Sequence, residues 1–131
     1  MGNIKSEEIG QRLIDISWAA GLIDGEGSFG LYNDNPVLAV ESTCRTVIEE
    51  IHRILGGKCY AVKRRTKRNR PVFKWSIHGR NSIGVCHVIA EHLRDKREQA
   101  ELLTTIYDYP KHSAMRESIS RRMSSLKRVS L

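Results

Sequence analysis

The stretch Trp18 Ala19 Ala20 Gly21 Leu22 Ile23 Asp24 Gly25 Glu26 Gly27 Ser28 Phe29 decides the reading of this chain. Ahead of and within it, Ile9, Leu13, Ile16, Ala20 and Ile23 recur at helical spacing, and Ser6 followed by Glu7 and Glu8 marks a helix start. Gly21 and Gly25 then fall one turn apart on the same face, where missing side chains allow another backbone to approach closely. Such a face suits a partner helix. Asp24 and Glu26 stand where the helix runs out into Gly27, so two carboxylates gather at the end of a contact surface, a place suited to holding a metal.

Composition narrows the class. A chain of 131 residues that is 40% apolar has the size of one domain with a real core. No signal peptide and no apolar run near the length of a membrane span is present, so an intracellular protein without a membrane partner is expected. Cys44, Cys59 and Cys86 are odd in number and lack C-x-x-C spacing, which argues against a disulfide framework and against a zinc site. His87 and His92, five apart, share no helix face and read as ordinary helix residues.

Charge is distributed unevenly. Residues 51–90 contain ten basic side chains (Arg53, Lys58, Lys63, Arg64, Arg65, Lys67, Arg68, Arg70, Lys74 and Arg80) and no Asp or Glu. The remainder has 12 basic and 15 acidic residues, so the net +7 arises wholly from this region. A surface without compensating acid repels itself and calls for a polyanion.

Periodicity places that charge on a sheet. Ser28 to Asp34 alternates, Asn33 Asp34 Asn35 Pro36 is turn chemistry, and Val37 to Ser42 resumes with Leu38 and Val40 inward. Thr46 to Leu55 reads as a helix stopped by Gly56 and Gly57. Lys58 to Arg65 and Val72 to His78 form a second hairpin, with Tyr60, Val62, Phe73, Trp75 and Ile77 expected inward and Lys63, Arg65, Lys74 and Ser76 outward. Its tip is the basic run Thr66 to Pro71. Helices are then expected over Asn81 to Glu91, Lys96 to Tyr107 and Arg116 to Lys127. The expectation is an α+β fold: a repeated αββ unit whose antiparallel sheet has helices on one face and a polar, basic surface on the other.

The opening stretch resembles the signature helix of the LAGLIDADG homing endonucleases: Gly21, Leu22, Ile23, Asp24 and Gly27 match, while Ala19, Gly25 and Glu26 replace leucine, alanine and aspartate. The element order is similar to that family's αββαββα core, a curved antiparallel sheet that straddles the major groove. The resemblance covers about Ser6 to Ile106, with residues 1–110 as the endonuclease domain and residues 111–131 as a helical tail of the same domain. Leu93 Arg94 Asp95 Lys96 Arg97 Glu98 Gln99 Ala100 looks like the family segment in which a lysine precedes a Gln-Ala pair.

The resemblance implies metal-dependent cleavage of double-stranded DNA at a long pseudo-palindromic site, leaving short 3′ overhangs. Glu26 would bind Mg²⁺ or Mn²⁺, and Lys96 would act near the scissile phosphate. Asp24 is either catalytic or closes the helix end or the dimer contact. With a single motif, the chain is expected to work as a homodimer through Ala20, Gly21, Asp24 and Gly25. Ser28, Gly30, Tyr32, Glu41, Lys63, Arg65, Lys67, Arg68, Arg70, Lys74 and Ser76 are the expected DNA contacts. Ser42, Thr43 and Cys44 stand where family members often have polar groups that order water. Two other functions use the same basic surface: a non-cleaving DNA-binding regulator, and a maturase acting on intron RNA.

Overall fold

Helix α1 runs Ser6–Glu26 and passes into strand β1 (Gly27–Tyr32) without an intervening loop. The junction is Gly27, whose backbone is extended and whose N–H donates to the Ile23 carbonyl. A Cβ there would lie 2.6 Å from that carbonyl oxygen, so only glycine fits so tight an exit. The computed structural model describes residues 5–65 and 70–127, with Arg64 and Arg65 described in backbone only.

The first hairpin joins β1 to β2 (Asn35–Ser42) through Asn33 and Asp34, both at positive φ (50° and 62°). That is the two-residue turn whose twist matches its flanking strands, and Asn and Asp tolerate it best after glycine. The sequence led us to expect four turn residues. Asn35 and Pro36 instead lie in β2, opposite Tyr32 and Leu31. Helix α2 (Arg45–Leu55) then ends at Gly56 and Gly57, both at positive φ. Strands β3 (Lys58–Arg65) and β4 (Pro71–His78) follow.

The four strands form one antiparallel sheet in the order β1-β2-β4-β3, so the closing strand of each hairpin lies at the centre. Helices α3 (Gly79–Ile89), α4 (Arg97–Thr104) and α5 (Ala114–Lys127) complete the fold, with short 3₁₀ turns at Ala90–His92 and Ile106–Asp108. Trp75 is fully buried at the centre, among Phe29, Leu38, Ile48, Ile51, Ile89 and Leu103, and its Nε1 donates to the Gly56 carbonyl at 2.6 Å. None of the helices among the described residues is long and apolar enough to cross a membrane.

One strand departs from its expected phase. Cys59 faces Trp75 and Ala61 faces Phe73 across the ladder, whereas Tyr60 stands opposite Lys74. Tyr60 is therefore on the outer face, 48% exposed, and Cys59 and Ala61 lie on the helix-covered side, Cys59 half-buried and Ala61 exposed on this edge strand. The register shifts between Val62 and Arg65, as a bulge does.

The last helix is integral to the core. Ile119 and Met123 are buried, as is Arg116, whose Nε donates to the carbonyls of Ile106 (3.1 Å) and Tyr109 (2.8 Å). Arg116 Nη1 reaches Asp34, donating to its carbonyl at 2.9 Å and to Oδ2 at 3.3 Å. The amide of His112 also donates to Asp34 Oδ2, at 2.6 Å. The tip of the first hairpin is thus fastened to α5, and the His112 N–H, with Arg116, holds the Asp34 carboxyl below its ordinary pKa.

Candidate functional site

Three features converge where α1 meets β1. The first is a stripe along α1: Ile14 (63% exposed), Trp18 (40% exposed), Gly21 and Gly25 succeed one another at intervals of four, three and four residues. This spacing is the seam along which two helices pack. A Cβ built on Gly21 or Gly25 meets nothing within 4 Å, so neither glycine is required by the chain's own packing. Ala20, expected at the same contact, is instead completely buried in the chain's own core, together with Ala19 and Ile23. The helix face that carries Ala20 is the one that covers the sheet.

The second feature is Asp24. Its carboxylate accepts from the amides of Arg94 (3.2 Å to Oδ2), Asp95 (3.0 Å to Oδ1) and Lys96 (2.9 Å to Oδ1), the N–H groups that lead into α4. Lys96 is the N-cap of α4, whose amide has no intrahelical partner, and Arg94 and Asp95 lead up to it; a carboxylate there also complements the helix dipole. Lys96 returns the link, donating from Nζ to the Asp24 carbonyl at 2.7 Å. Asp24 therefore fastens Lys96, 72 residues away in sequence, to the end of α1.

Third, Glu26 is exposed at the exit of α1, two residues beyond Asp24. Among the described residues no cluster of three or more His, Cys, Asp or Glu could enclose a metal. Asp24's oxygens are engaged by amides, whereas Glu26 is exposed and could hold a cation. A single carboxylate is a sparse site for one protein chain, but it suits Mg²⁺ or Mn²⁺, which take one or two carboxylates and complete their shell with phosphate oxygens and water.

The sheet's outer face carries Ser28, Gly30 and Tyr32 from β1, Glu41 from β2, Lys74 and Ser76 from β4, and Lys58 and Tyr60 from β3. Ser76 faces outward yet is only 2% exposed, and its Oγ lies 3.1 Å from His78 Nε2. A small side chain in a central strand is overtopped by its longer neighbours. Glu41 stands directly opposite Lys74. Lys63 and Arg70 are exposed at the ends of the second hairpin, of Arg65 only the backbone is described, and Lys67 and Arg68 fall outside the described residues. Lys58, Tyr60 and His78 are exposed on this face and were not among the contacts expected from the sequence; correct phasing of β3 would have found the first two. At the end of β2, the Ser42 hydroxyl accepts from the amide of Cys44 at 3.0 Å, and Thr43 and Cys44 are exposed.

Comparison with known proteins gives the class of fold. The homing endonuclease I-CvuI, in complex with the I-CreI target DNA, superposes with a TM-score of 0.71 at 18% identity, over 92% of this chain and 86% of that one. A second complex of I-CvuI, with its own target, gives 0.60 at 18% identity, covering 92% and 99% of the two chains. The archaeal intron-encoded homing endonuclease I-Vdi141I, bound to DNA, gives 0.67 at 15% identity over 90% and 87%. This chain has the fold of the LAGLIDADG homing endonucleases. No protein-family model and no curated protein matches its sequence.

Proposed function

We propose that this chain is a homodimeric, divalent-metal-dependent DNA endonuclease that cleaves both strands of a pseudo-palindromic duplex. One observation carries the reading most directly: the exposed Glu26 lies at the end of the helix that carries the stripe Ile14, Trp18, Gly21 and Gly25, two residues beyond the Asp24 that holds Lys96. Packing two copies through Gly21 and Gly25 brings two Glu26 carboxylates to one dyad. The basic residues of β3 and β4 supply attraction for the DNA backbone, and the varied side chains of the outer sheet face are suited to base edges. All three solved structures described above are complexes with DNA, and one I-CvuI complex was obtained with Mg and uncleaved DNA, the other with Ca.

Glu26, from each protomer, would hold Mg²⁺ or Mn²⁺ against the phosphate. The cation supplies a more acidic bound water and neutralises phosphoryl charge. Lys96 offers its two remaining N–H donors to a phosphoryl oxygen or an ordered water. Asp24 acts as a positioning residue, fixing where the Lys96 ammonium can reach. Intron RNA is a second polyanion to which the same surface is open.

The test is digestion of a randomised duplex library with Mg²⁺ by wild type and Glu26→Gln, with sequencing of the ends. Paired breaks with short 3′ overhangs from wild type, reduced by more than about 10²-fold in the variant, are expected. Enrichment of one sequence without cutting by either protein would make the chain a binding protein on this fold.

A further inference from the structure

Two lysines bracket the junction of α1 and β1. On the helix side of Glu26, Lys96 Nζ donates to the Asp24 carbonyl. On the strand side, Lys127 Nζ, from the last turn of α5, donates to the Phe29 carbonyl and lies 3.7 Å from where a Cβ on Gly30 would be. Exposed Glu26 and Ser28 stand between these two tethers. The elements that bring the lysines are themselves joined: Arg122 of α5 donates to Glu98 of α4 at 2.9 Å, and α4 and α5 both pack on β1.

Both ammoniums are held by neutral carbonyls, and neither has a carboxylate partner among the described residues. A carbonyl tether fixes position without cancelling charge and leaves further N–H donors on each group. Like charges fixed along so short a stretch repel one another, a cost that an anion between them removes. Partial burial, with the Lys96 charge nearby, lowers the pKa of Lys127, as expected for an ammonium held without a counter-ion.

We propose that Lys127 is a phosphate-binding residue that works with Lys96 to grip the DNA strand passing Glu26. The inference rests on the DNA-cleaving reading above and extends it to α5. The competing role is a structural clasp, in which Lys127 only occupies a carbonyl on the edge strand β1.

Binding to a labelled random-sequence duplex, titrated across salt concentrations, separates the two. Lys127→Met keeps the apolar stem without the charge and is expected to flatten the slope of log Kd against log salt by about 2, one for each protomer of the dimer, whereas Lys127→Arg and Arg121→Ala, an exposed cation on the same helix, leave it unchanged. An unchanged slope in Lys127→Met, with a lowered unfolding temperature, would make Lys127 a clasp and overturn the proposal while leaving the endonuclease reading intact. Absence of salt-dependent duplex binding by wild type would overturn both. Acetylation of the wild-type protein gives a readout independent of folding in the variant: duplex DNA should protect Lys127, and equal labelling with and without DNA would refute its contact.

Discussion

The two αββ repeats follow one plan and end their helices differently. Helix α1 has 21 residues and runs straight into β1, with Glu26 as its last residue; α2 has 11 and breaks at two glycines of positive φ before β3 begins. In the first repeat the helix exit is a place for a carboxylate. In the second it is a packing joint, where Gly56 receives the indole N–H of Trp75 and Gly57 lies against the Ser76 carbonyl. The charge is divided in the opposite sense, with the ten basic residues of 51–90 falling almost wholly on the second repeat and α3. In the proposed function, chemistry and attraction fall to different copies of one motif, and the copy with the chemistry is the one whose helix carries the exposed stripe of Ile14, Trp18, Gly21 and Gly25.

The largest effect is expected from breaking the second joint. A Cβ on Gly57 would lie 2.5 Å from Ser76 O at a φ of +85°, whereas one on Gly56, at +75°, meets nothing within 4 Å. Gly57→Ala should cost about 3 kcal/mol, near 10 °C in unfolding temperature, and Gly56→Ala only about 1 kcal/mol, a difference that calorimetry of the two variants resolves. Equal losses would mean that backbone strain alone, and not the close approach of β4, fixes this turn.

The first repeat has its own fixed turn, the β1–β2 hairpin at Asp34. Asp34→Asn keeps a residue that tolerates positive φ but removes the charge facing buried Arg116, at an expected cost of about 1.5 kcal/mol at neutral pH. Because the folded carboxyl titrates below its ordinary value of 3.8, its contribution is complete above that pH and is lost as pH falls through the folded pKa. Thermal unfolding of both proteins from pH 7 downward should show the gap closing only in that acid range.

The smallest effect sharpens the contrast between the two helices. Gly21→Ala should raise the intrinsic stability of α1 by about 1 kcal/mol, since the new methyl meets nothing in the chain. If a second α1 packs there, the same methyl should weaken the dimer in sedimentation equilibrium. Opposite signs in one variant would separate the seam from an ordinary solvent-facing helix surface.

Much of this arrangement was legible in the sequence because local chemistry and periodicity agreed. Ser6, Glu7 and Glu8 with the apolar spacing from Ile9 marked the start of α1, the glycines and carboxylates of residues 18–29 marked its end and the position of Glu26, and alternation marked both hairpins. Beta-3 was misphased because its two apolar-looking residues, Tyr60 and Val62, face outward, while Cys59 and Ala61, too small to announce a core strand, face in. Ser76 was read by parity, which gives direction but not depth. The engagement of Asp24 with residues 94–96 depends on elements 70 residues apart in sequence, and no spacing rule reaches that far. Lys127 was hidden for the same reason.

The absence of a loop between α1 and β1 has a bearing on redesign. Glu26 ends the helix and Ser28, two residues on, already belongs to the outer face of the sheet, so the backbone that sets the proposed reaction also sets the first proposed base contacts. Under the proposed function, changes to β1 are therefore coupled to activity. The second hairpin has its two glycines between helix and strand, and under the same proposal replacing its side chains leaves the Glu26 end of the molecule undisturbed, which makes it the place to begin retargeting.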